Sequence, residues 1–300
     1  MRLLALLTTV VLACEPVPGA DEAPDARPAP EAPPAPDVPP AADAPPAAAS
    51  FLAGYDFDER LRRFDLPGRL DEVSGLAFSP DGRLFAHDDE RGRVHEIDPV
   101  SGEVGKRIDL GEALVRDDFE GLAIVGERFF LVSSTGRLYE FREGADRENM
   151  AFRVTDTGVG DTCEVEGLDH DPFEDELLIA CKVSLPDRGE IVVHRLPLEP
   201  GRERPPAVRI AKSLLEPFGL EGEFDASAVA VTPTGSWLLL SGRHDAVIEV
   251  DRDGAVLAAV PLRKGRHPQS EGLAIGPDGT LYISDEKNGK DARLTAYGPR

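Results

Sequence analysis

Three glutamates occupy the same position in copies of a short phrase, in which a glutamate precedes glycine and leucine. They are Glu120, Glu166 and Glu271, and serine replaces the glutamate in two looser copies, at Ser74 and Ser227. Carboxylates that converge on one point repel one another when they are ionised. Ca²⁺ takes about six to eight hard oxygen ligands and would neutralise such a group. If the fold brings the copies together, the phrase predicts a calcium site with the three glutamates as ligands.

Two aspartates that close apolar runs are candidates for the same site. Asp88 and Asp285 each end the run that follows a copy of the phrase, and Asp89 comes directly after Asp88. We expect these runs to end beside the glutamates, which makes Asp88 and Asp285 further metal ligands and Asp89 a ligand or a support. In the alternative, the glutamates hydrogen-bond the backbone of neighbouring modules and hold no ion. Zinc is disfavoured, because the six histidines are scattered without a zinc-binding spacing.

Basic residues follow some of the same apolar runs. Lys182, Arg243 and His244 are therefore candidates for binding an anion, such as a phosphate or carboxylate substrate held beside a metal. The chain contains neither a GxSxG elbow nor a glycine-rich phosphate loop, which argues against a serine hydrolase. No catalytic residue can be assigned from this pattern.

The spacing of the phrase predicts the strands on which these residues lie. Its copies start at residues 73, 119, 165, 226 and 270, so the intervals are 46, 46, 61 and 44 residues. Each copy is followed by a turn, an apolar run and a run of alternating polarity. A period of about 40–45 residues with such strands is typical of a β-propeller. We predict an all-β, five-bladed propeller; a six-bladed alternative would need a hidden unit in the longest interval.

The predicted ring needs a strand from the other end of the chain. The last unit stops at Arg300 without a fourth strand, whereas Leu61–Leu66 (LRRFDL) is similar to Lys106–Leu110 (KRIDL), a fourth strand of the first unit. We therefore expect an N-terminal strand to pair in the last blade, which would remove an open sheet edge. The segment 196–222 is interpreted as a surface extension with a helical turn at Ser213–Leu215.

The first 50 residues predict export and attachment to a membrane. Residues 1–14 have a basic start and a short apolar run, as a signal peptide does. They end in Val11-Leu12-Ala13-Cys14, which is similar to a bacterial lipobox and predicts a lipid such as palmitate on Cys14. Residues 15–50 are rich in Pro and Ala and predict a disordered tether, followed by the propeller at 51–300. We expect a protein of the bacterial cell envelope, either a lipoprotein of the outer membrane or a periplasmic or extracellular protein.

Charge and cysteine content limit the partners of the propeller. The first 50 residues hold seven of the 56 acidic and two of the 33 basic residues, so the rest has a net charge of −18. This charge argues against nucleic acid as a partner. Cys163 and Cys181 are the cysteines of the propeller, and export to an oxidising compartment predicts a disulfide between them. We expect a monomer with an unidentified protein or small-molecule ligand.

Several stretches of the sequence resemble one protein family. Asp118–Ala123 (DFEGLA), Ser74–Asp98 and Ser270–Glu286 are similar to the SdiA-regulated family, which includes YjiK-like proteins. The resemblance covers about residues 60–297 and implies an exported or membrane-attached five-bladed propeller with a calcium site. It implies no enzymatic activity, and Ser74 and Ser227 depart from a fully acidic ring.

Two functions are consistent with these observations. The first is a lipid-anchored, calcium-binding propeller that acts as a binding or interaction module on the cell envelope. The alternative is a metal-dependent hydrolase, a phytase-like esterase or a lactonase, with its site at the channel mouth. The two differ in whether the metal would keep open water positions beside Arg243 and His244.

Overall fold

The computed structural model describes residues 50–184, 188–220, 223–263 and 265–300. The predicted signal peptide, the tether and the candidate lipidation residue Cys14 lie outside these residues. Within the described ranges, no helix combines the length and the hydropathy that crossing a bilayer requires. The strands form five separate sheets arranged as the blades of a β-propeller, which confirms the predicted fold.

The strands before residue 160 build the first two blades and contribute one strand to the last blade. They are β1 (Arg62–Asp65), β2 (Val73–Phe78), β3 (Leu84–Asp88), β4 (Arg93–Ile97), β5 (Val104–Leu110), β6 (Phe119–Val125), β7 (Arg128–Ser133), β8 (Arg137–Arg142), β9 (Glu148–Met150) and β10 (Phe152–Asp156). Blade 1 is β2-β3-β4-β5, and blade 2 is β6-β7-β8-β10. The short β9 runs parallel to β5 and covers the outer edge of blade 1, an addition that the repeat did not predict.

The remaining strands build blades 3, 4 and 5. They are β11 (Cys163–Asp171), β12 (Glu176–Ser184), β13 (Glu190–Pro197), β14 (Val208–Ala211), β15 (Ala228–Val231), β16 (Trp237–Ser241), β17 (Ala246–Val250), β18 (Val256–Pro261), β19 (Ser270–Ile275), β20 (Leu281–Asp285) and β21 (Arg293–Tyr297). Blade 3 is β11 to β14, and blade 4 is β15 to β18.

The long interval between the third and fourth phrase adds no blade. Its described residues form β14 and the 3-10 helix Lys212–Phe218, which includes the predicted helical turn at Ser213–Leu215. The six-bladed alternative is therefore wrong. Two shorter 3-10 helices, Leu52–Gly54 and Gly68–Leu70, lie on either side of β1.

The N-terminal strand closes the ring. Blade 5 has the order β1-β21-β20-β19, with β1 antiparallel to β21. Arg62 faces Ala296 and Phe64 faces Leu294 in this pairing, and the backbone N–H of Leu66 donates to the carbonyl of Ala292 at 2.7 Å. The predicted closure is confirmed, and it joins the two ends of the domain in one sheet.

The apolar runs of the strands pack between blades. Five hydrophobic clusters form, each at an interface between neighbouring blades. One of them includes Trp237 of blade 4 and Leu178 of blade 3. Near the axis, glycine is required for close approach. A Cβ added at Gly121 would lie 2.6 Å from the backbone nitrogen of Leu168 in the next blade. The glycines of the phrase thus allow the inner strands to pack around a narrow axis.

A disulfide lies within blade 3. It joins Cys163 on β11 to Cys181 on β12, with Cα atoms 5.7 Å apart, a separation that suits a disulfide. Both sulfur-bearing side chains are buried. The bond joins β11, which carries Glu166, to β12, which carries Lys182.

Candidate functional site

The innermost strands of the blades surround the propeller axis. Neighbouring strands among β2, β6, β11, β15 and β19 contact one another around the ring. The residues at their starts meet at one end of the axis, which we call the acidic mouth. It is defined by the phrase positions Ser74, Glu120, Glu166, Ser227 and Glu271.

Each glutamate of the acidic mouth is a bulged residue of its inner strand. In β6 the pairing with β7 passes from Phe119 to Gly121 and leaves out Glu120. The pairings of β11 and β19 leave out Glu166 and Glu271 in the same way. A β-bulge redirects a side chain and is frequent beside functional sites. The bulges are the local reason why these side chains turn toward the axis rather than alternate with their neighbours.

The three glutamates line one small cavity on the axis. Its volume is about 10 Å³, which is about the room for one water-sized particle. Each blade also contributes one buried aliphatic side chain to its wall. These are Leu76, Leu122, Leu168, Val229 and Leu273. The aliphatic side chains close the axis beneath the carboxylates, so the acidic mouth is a shallow depression with an apolar floor.

Burial and mutual repulsion make the glutamates hard to ionise. Burial, followed by the charge of Glu166, raises the pKa of Glu120 well above its ordinary value. Burial, followed by the charges of Glu166 and Glu286, raises the pKa of Glu271 to about 8. The pKa of Glu166 is also raised by burial, although Lys182 opposes this shift. A cation at the mouth would remove the electrostatic penalty.

Lys182 is in contact with this group. Its Nζ lies 2.5 Å from Oε1 of Glu166 and 3.7 Å from Oε1 of Glu164. Lys182 is itself left out of the pairing between β11 and β12, so a second bulge brings it to Glu166. Burial opposes its charge, but Glu166 and Glu164 hold the pKa of its ammonium group above the ordinary value. The candidate anion ligand Lys182 is thus engaged by carboxylates.

A second acidic group borders the first on the side of blades 1 and 5. Asp88 is 3 % exposed, and its Oδ2 lies 3.0 Å from Nη1 of Arg91. The Oδ1 atoms of Asp88 and Asp89 are buried and have no hydrogen-bond partner. Burial, followed by the charges of Glu72 and Asp88, raises the pKa of Asp89 to about 6. Burial and Asp89 raise the pKa of Glu286 to about 7.

Sequence reasoning missed Glu72 and Glu286. Glu286 directly follows Asp285 at the end of β20, and Glu72 directly precedes β2. Their position next to residues already singled out was the available signal. The amide of Gln269 donates a hydrogen bond to Glu286, and the backbone nitrogen of Asp89 donates to the carbonyl of Glu72 at 3.1 Å.

Asp285 belongs to a different network. It is fully buried, and its Oδ2 lies 3.0 Å from Nδ1 of His267. Nε2 of His267 lies 2.6 Å from the hydroxyl of Tyr297 in the same blade. This chain of hydrogen bonds engages Asp285 inside blade 5, and the charge of Asp285 also contributes to the raised pKa of Glu271.

The other candidate anion ligands also have acidic partners. Arg243 is 72 % exposed in its side chain and lies 3.4 Å from Oδ2 of Asp225. Nδ1 of His244 accepts a hydrogen bond from the backbone nitrogen of Asp225 at 3.2 Å, and its Nε2 lies 3.8 Å from Glu223. The electrostatic character of the acidic mouth is therefore set by carboxylates.

The donor set fits an oxygen-binding divalent cation in its chemistry. Carboxylate and hydroxyl oxygens are available. The buried Oδ1 atoms of Asp88 and Asp89 accept no hydrogen bond, and a bound cation would take the place of the missing hydrogen-bond donor. Among the described residues, no three carboxylates present oxygens within 4.8 Å of one another. Binding therefore requires rotation of the flexible glutamate side chains or bridging water molecules.

A family model named SdiA-regulated matches residues 49–289, which include strands of all five blades and end before β21. The chain belongs to the SdiA-regulated family. The resemblance found in the phrases is thereby confirmed over most of the chain. In this family member, the phrase supplies both the glycines of the blade contacts and the acidic mouth.

Solved propellers share the fold at low sequence identity. Glutaminyl cyclase of Myxococcus xanthus has a TM-score of 0.56 and 17% identity, over 80% of this chain and 94% of that one. A PQQ-bound aldose sugar dehydrogenase of Streptomyces coelicolor has a TM-score of 0.52 and 13% identity, over 81% and 98%. A luciferin-regenerating enzyme has a TM-score of 0.52 and 9% identity, over 79% and 95%. At these identities the similarity shows the fold alone, which does not decide between an enzyme and a binding module.

Proposed function

We propose that this SdiA-regulated protein is a binding module of the cell envelope, anchored by a lipid on Cys14, whose acidic mouth binds a divalent cation. Ca²⁺ is the expected ion, because the donors are hard oxygens and Ca²⁺ accepts irregular sets of them. The bound ion would neutralise the mouth and present an ordered surface to a ligand. Glu120, Glu166 and Glu271 would hold it, with Asp88, Asp89 and Glu286 at its margin.

The observation that carries this proposal is the crowding of buried carboxylates at the bulges. Each glutamate is turned to the axis by its own bulge. Among the described residues, Lys182 is the basic residue that forms an ion pair with one of these glutamates, Glu166. Two buried aspartate oxygens beside them lack any hydrogen-bond donor. A purely structural role for the glutamates would predict hydrogen bonds from neighbouring blades instead; Ser74 Oγ, at 3.5 Å from Glu120 Oε2, is a long contact of this kind.

The hydrolase alternative is less favoured by the same geometry. A phosphoester or carboxylate substrate needs free cationic groups beside the metal. Lys182, Arg243 and His244 instead contact Glu166, Asp225 and Glu223. A substrate anion would meet carboxylates at this mouth.

Elemental analysis combined with thermal melting tests the cation. The mature protein is purified without chelator, and its melting temperature is measured with EDTA and again after Ca²⁺ is restored. We expect a co-purifying divalent ion and a melting temperature that EDTA lowers and Ca²⁺ restores. The double variant Glu120→Gln/Glu271→Gln should lose the response, whereas Glu127→Gln, at an exposed glutamate paired with Arg142, should keep it. An unchanged melting temperature and no ion would refute the cation site.

Membrane fractionation tests the anchor. The protein is labelled with a palmitate analogue in bacterial cells and compared with the Cys14→Ser variant. We expect label and membrane association for the native sequence, and loss of both for the variant. Identical fractionation of the two proteins would reject lipidation at Cys14 while leaving the cation site untouched.

A further inference from the structure

A second depression lies at the opposite end of the axis, where the inner strands end. We call it the apolar mouth. All five blades contribute to it, and its volume is about 360 Å³, within the usual range of about 300–1,000 Å³ for small-molecule sites. Its apolar lining includes Leu76, Phe78, Ile124, Phe173, Leu273 and Ile275, while Asp169, His170 and Thr232 supply polar groups.

The apolar mouth is separated from the acidic mouth by the closed axis. Leu76 and Leu273 line both the small central cavity and this depression. They are 5 % and 3 % exposed. A ligand in the apolar mouth therefore contacts none of the candidate metal ligands.

A single carboxylate, that of Asp169 near the end of β11, lines this apolar depression. Its Oδ2 accepts a hydrogen bond from the backbone nitrogen of Val231 at 2.7 Å, and its Oδ1 accepts one from the backbone nitrogen of His170 at 2.8 Å. These two bonds fix the orientation of the carboxylate. In the described part of the chain, no Lys, Arg or His side chain forms an ion pair with it; the nearby His170 contacts Asp175 instead.

An isolated carboxylate beside apolar side chains selects for a cation. A carboxylate has about four lone-pair sites, and the two backbone donors leave room for a further donor. Burial raises the pKa of Asp169 to about 7, because the ionised carboxylate is poorly solvated there. A bound cation would stabilise the ionised form. Apolar carbon on the same ligand would cover Phe78 and Ile275.

We propose that the apolar mouth binds a small amphipathic organic ammonium ion, with the ammonium group paired to Asp169 and the apolar part against Leu76, Phe78 and Ile275. This site is independent of the proposed cation site, since it lies at the other end of the axis. The volume suits an aromatic or short aliphatic amine.

Titration calorimetry with two matched probes tests the proposal. Phenethylamine and hydrocinnamate have similar apolar parts and opposite charges, and both are charged at about pH 8.5, where Asp169 is ionised as well. We expect the amine to bind at least about tenfold more tightly than the acid, which corresponds to about 1.4 kcal/mol. Equal affinities for the two probes, or no binding of the amine at millimolar concentration, would overturn the proposal.

Variants locate the binding. Asp169→Asn keeps the shape and one acceptor, and should weaken amine binding at least about tenfold. Asp161→Asn removes the same charge from an exposed residue and should leave amine binding unchanged. Amine binding that Asp169→Asn leaves unchanged, or that Asp161→Asn weakens equally, would overturn the assignment to the apolar mouth.

A measurement on the unmodified protein keeps the test valid if Asp169→Asn does not fold. Methyl resonances are recorded by NMR during titration with phenethylamine. We expect shifts at Leu76, Ile124, Leu273 and Ile275, all of which line the apolar mouth. Shifts confined to other methyl groups would contradict the proposal.

Discussion

Nζ of Lys182 lies 2.5 Å from Oε1 of Glu166, and both residues are bulged out of the paired strands β12 and β11. The pair forms because two register shifts in one blade turn a base and an acid toward the same axis. Lys182 is an internal counter-ion of the acidic mouth. It therefore competes with any cation that binds there from solution.

Removing Lys182 should separate its two roles. In Lys182→Met the carboxylates lose their internal counter-ion, so the chelated protein should melt at a lower temperature than the native one. A divalent ion should then bind more tightly, by about tenfold or 1.4 kcal/mol, because no ammonium has to be displaced. Calorimetry with Ca²⁺ measures the second effect. The control Lys106→Met breaks a lysine–glutamate pair away from the axis, that with Glu143, and should leave Ca²⁺ affinity unchanged. Weaker Ca²⁺ binding by Lys182→Met would contradict the competition.

Asp169 should make folding stability depend on pH. Burial raises its pKa in the folded protein to about 7, above the ordinary value, so the folded state retains the proton longer than the unfolded chain. The stabilisation is present below the ordinary pKa of an aspartate and is lost as pH rises toward 8. We measure the free energy of unfolding by urea denaturation at pH 5 and at pH 8. The fall in this free energy from pH 5 to pH 8 should be about 2 kcal/mol smaller for Asp169→Asn than for the native protein. Parallel pH profiles for the two proteins would show that Asp169 is not buried as described.

The glycine of the phrase should be intolerant of a methyl group. A Cβ at Gly121 would approach Leu168 of the next blade to 2.6 Å, which is closer than packed atoms allow. Gly121→Ala should lower the free energy of unfolding by about 2 kcal/mol or more. Gly105→Ala is the matched control, because nothing lies within 4 Å of its added Cβ, and should change stability by less than about 0.5 kcal/mol. Similar effects in both variants would argue against close packing of the inner strands.

The disulfide should stabilise the blade that carries Lys182 and Glu166. Cys163 and Cys181 are 18 residues apart, and closing a loop of this size restricts the unfolded chain by about 3 kcal/mol. The double variant Cys163→Ser/Cys181→Ser should unfold at lower urea concentration by about that free energy. A reducing agent should shift the native protein in the same direction and leave the variant unaffected. A native protein that is insensitive to reduction would contradict this contribution.

The ring itself could be predicted because its signals are local and repeated. The phrase fixes the start of each inner strand, and the likeness of Leu61–Leu66 to Lys106–Leu110 indicated the closing strand β1. The convergence of Glu120, Glu166 and Glu271 followed from their equivalent positions in modules arranged around an axis.

Pairings between distant segments could not be predicted. The partner of Asp285 is His267, from the loop before β19, and nothing in either local sequence indicates this contact. The contact of Lys182 with Glu166 depends on a β-bulge, which is not visible in the strand pattern of the sequence. The strand β9 forms through a parallel contact with β5. Three strands of blade 2, β6 to β8, lie between β5 and β9 in the sequence.

Crystallography with a bound ion tests whether the acidic mouth is a cation site. Anomalous diffraction from crystals of the protein grown with Ca²⁺ locates the ion independently of any assumed ligand. We expect one peak at the acidic mouth, with oxygens of Glu120, Glu166 or Glu271 at about 2.3–2.6 Å and with Lys182 displaced from Glu166. An ion bound elsewhere, or a mouth in which Lys182 still bridges the glutamates at saturating Ca²⁺, would contradict it.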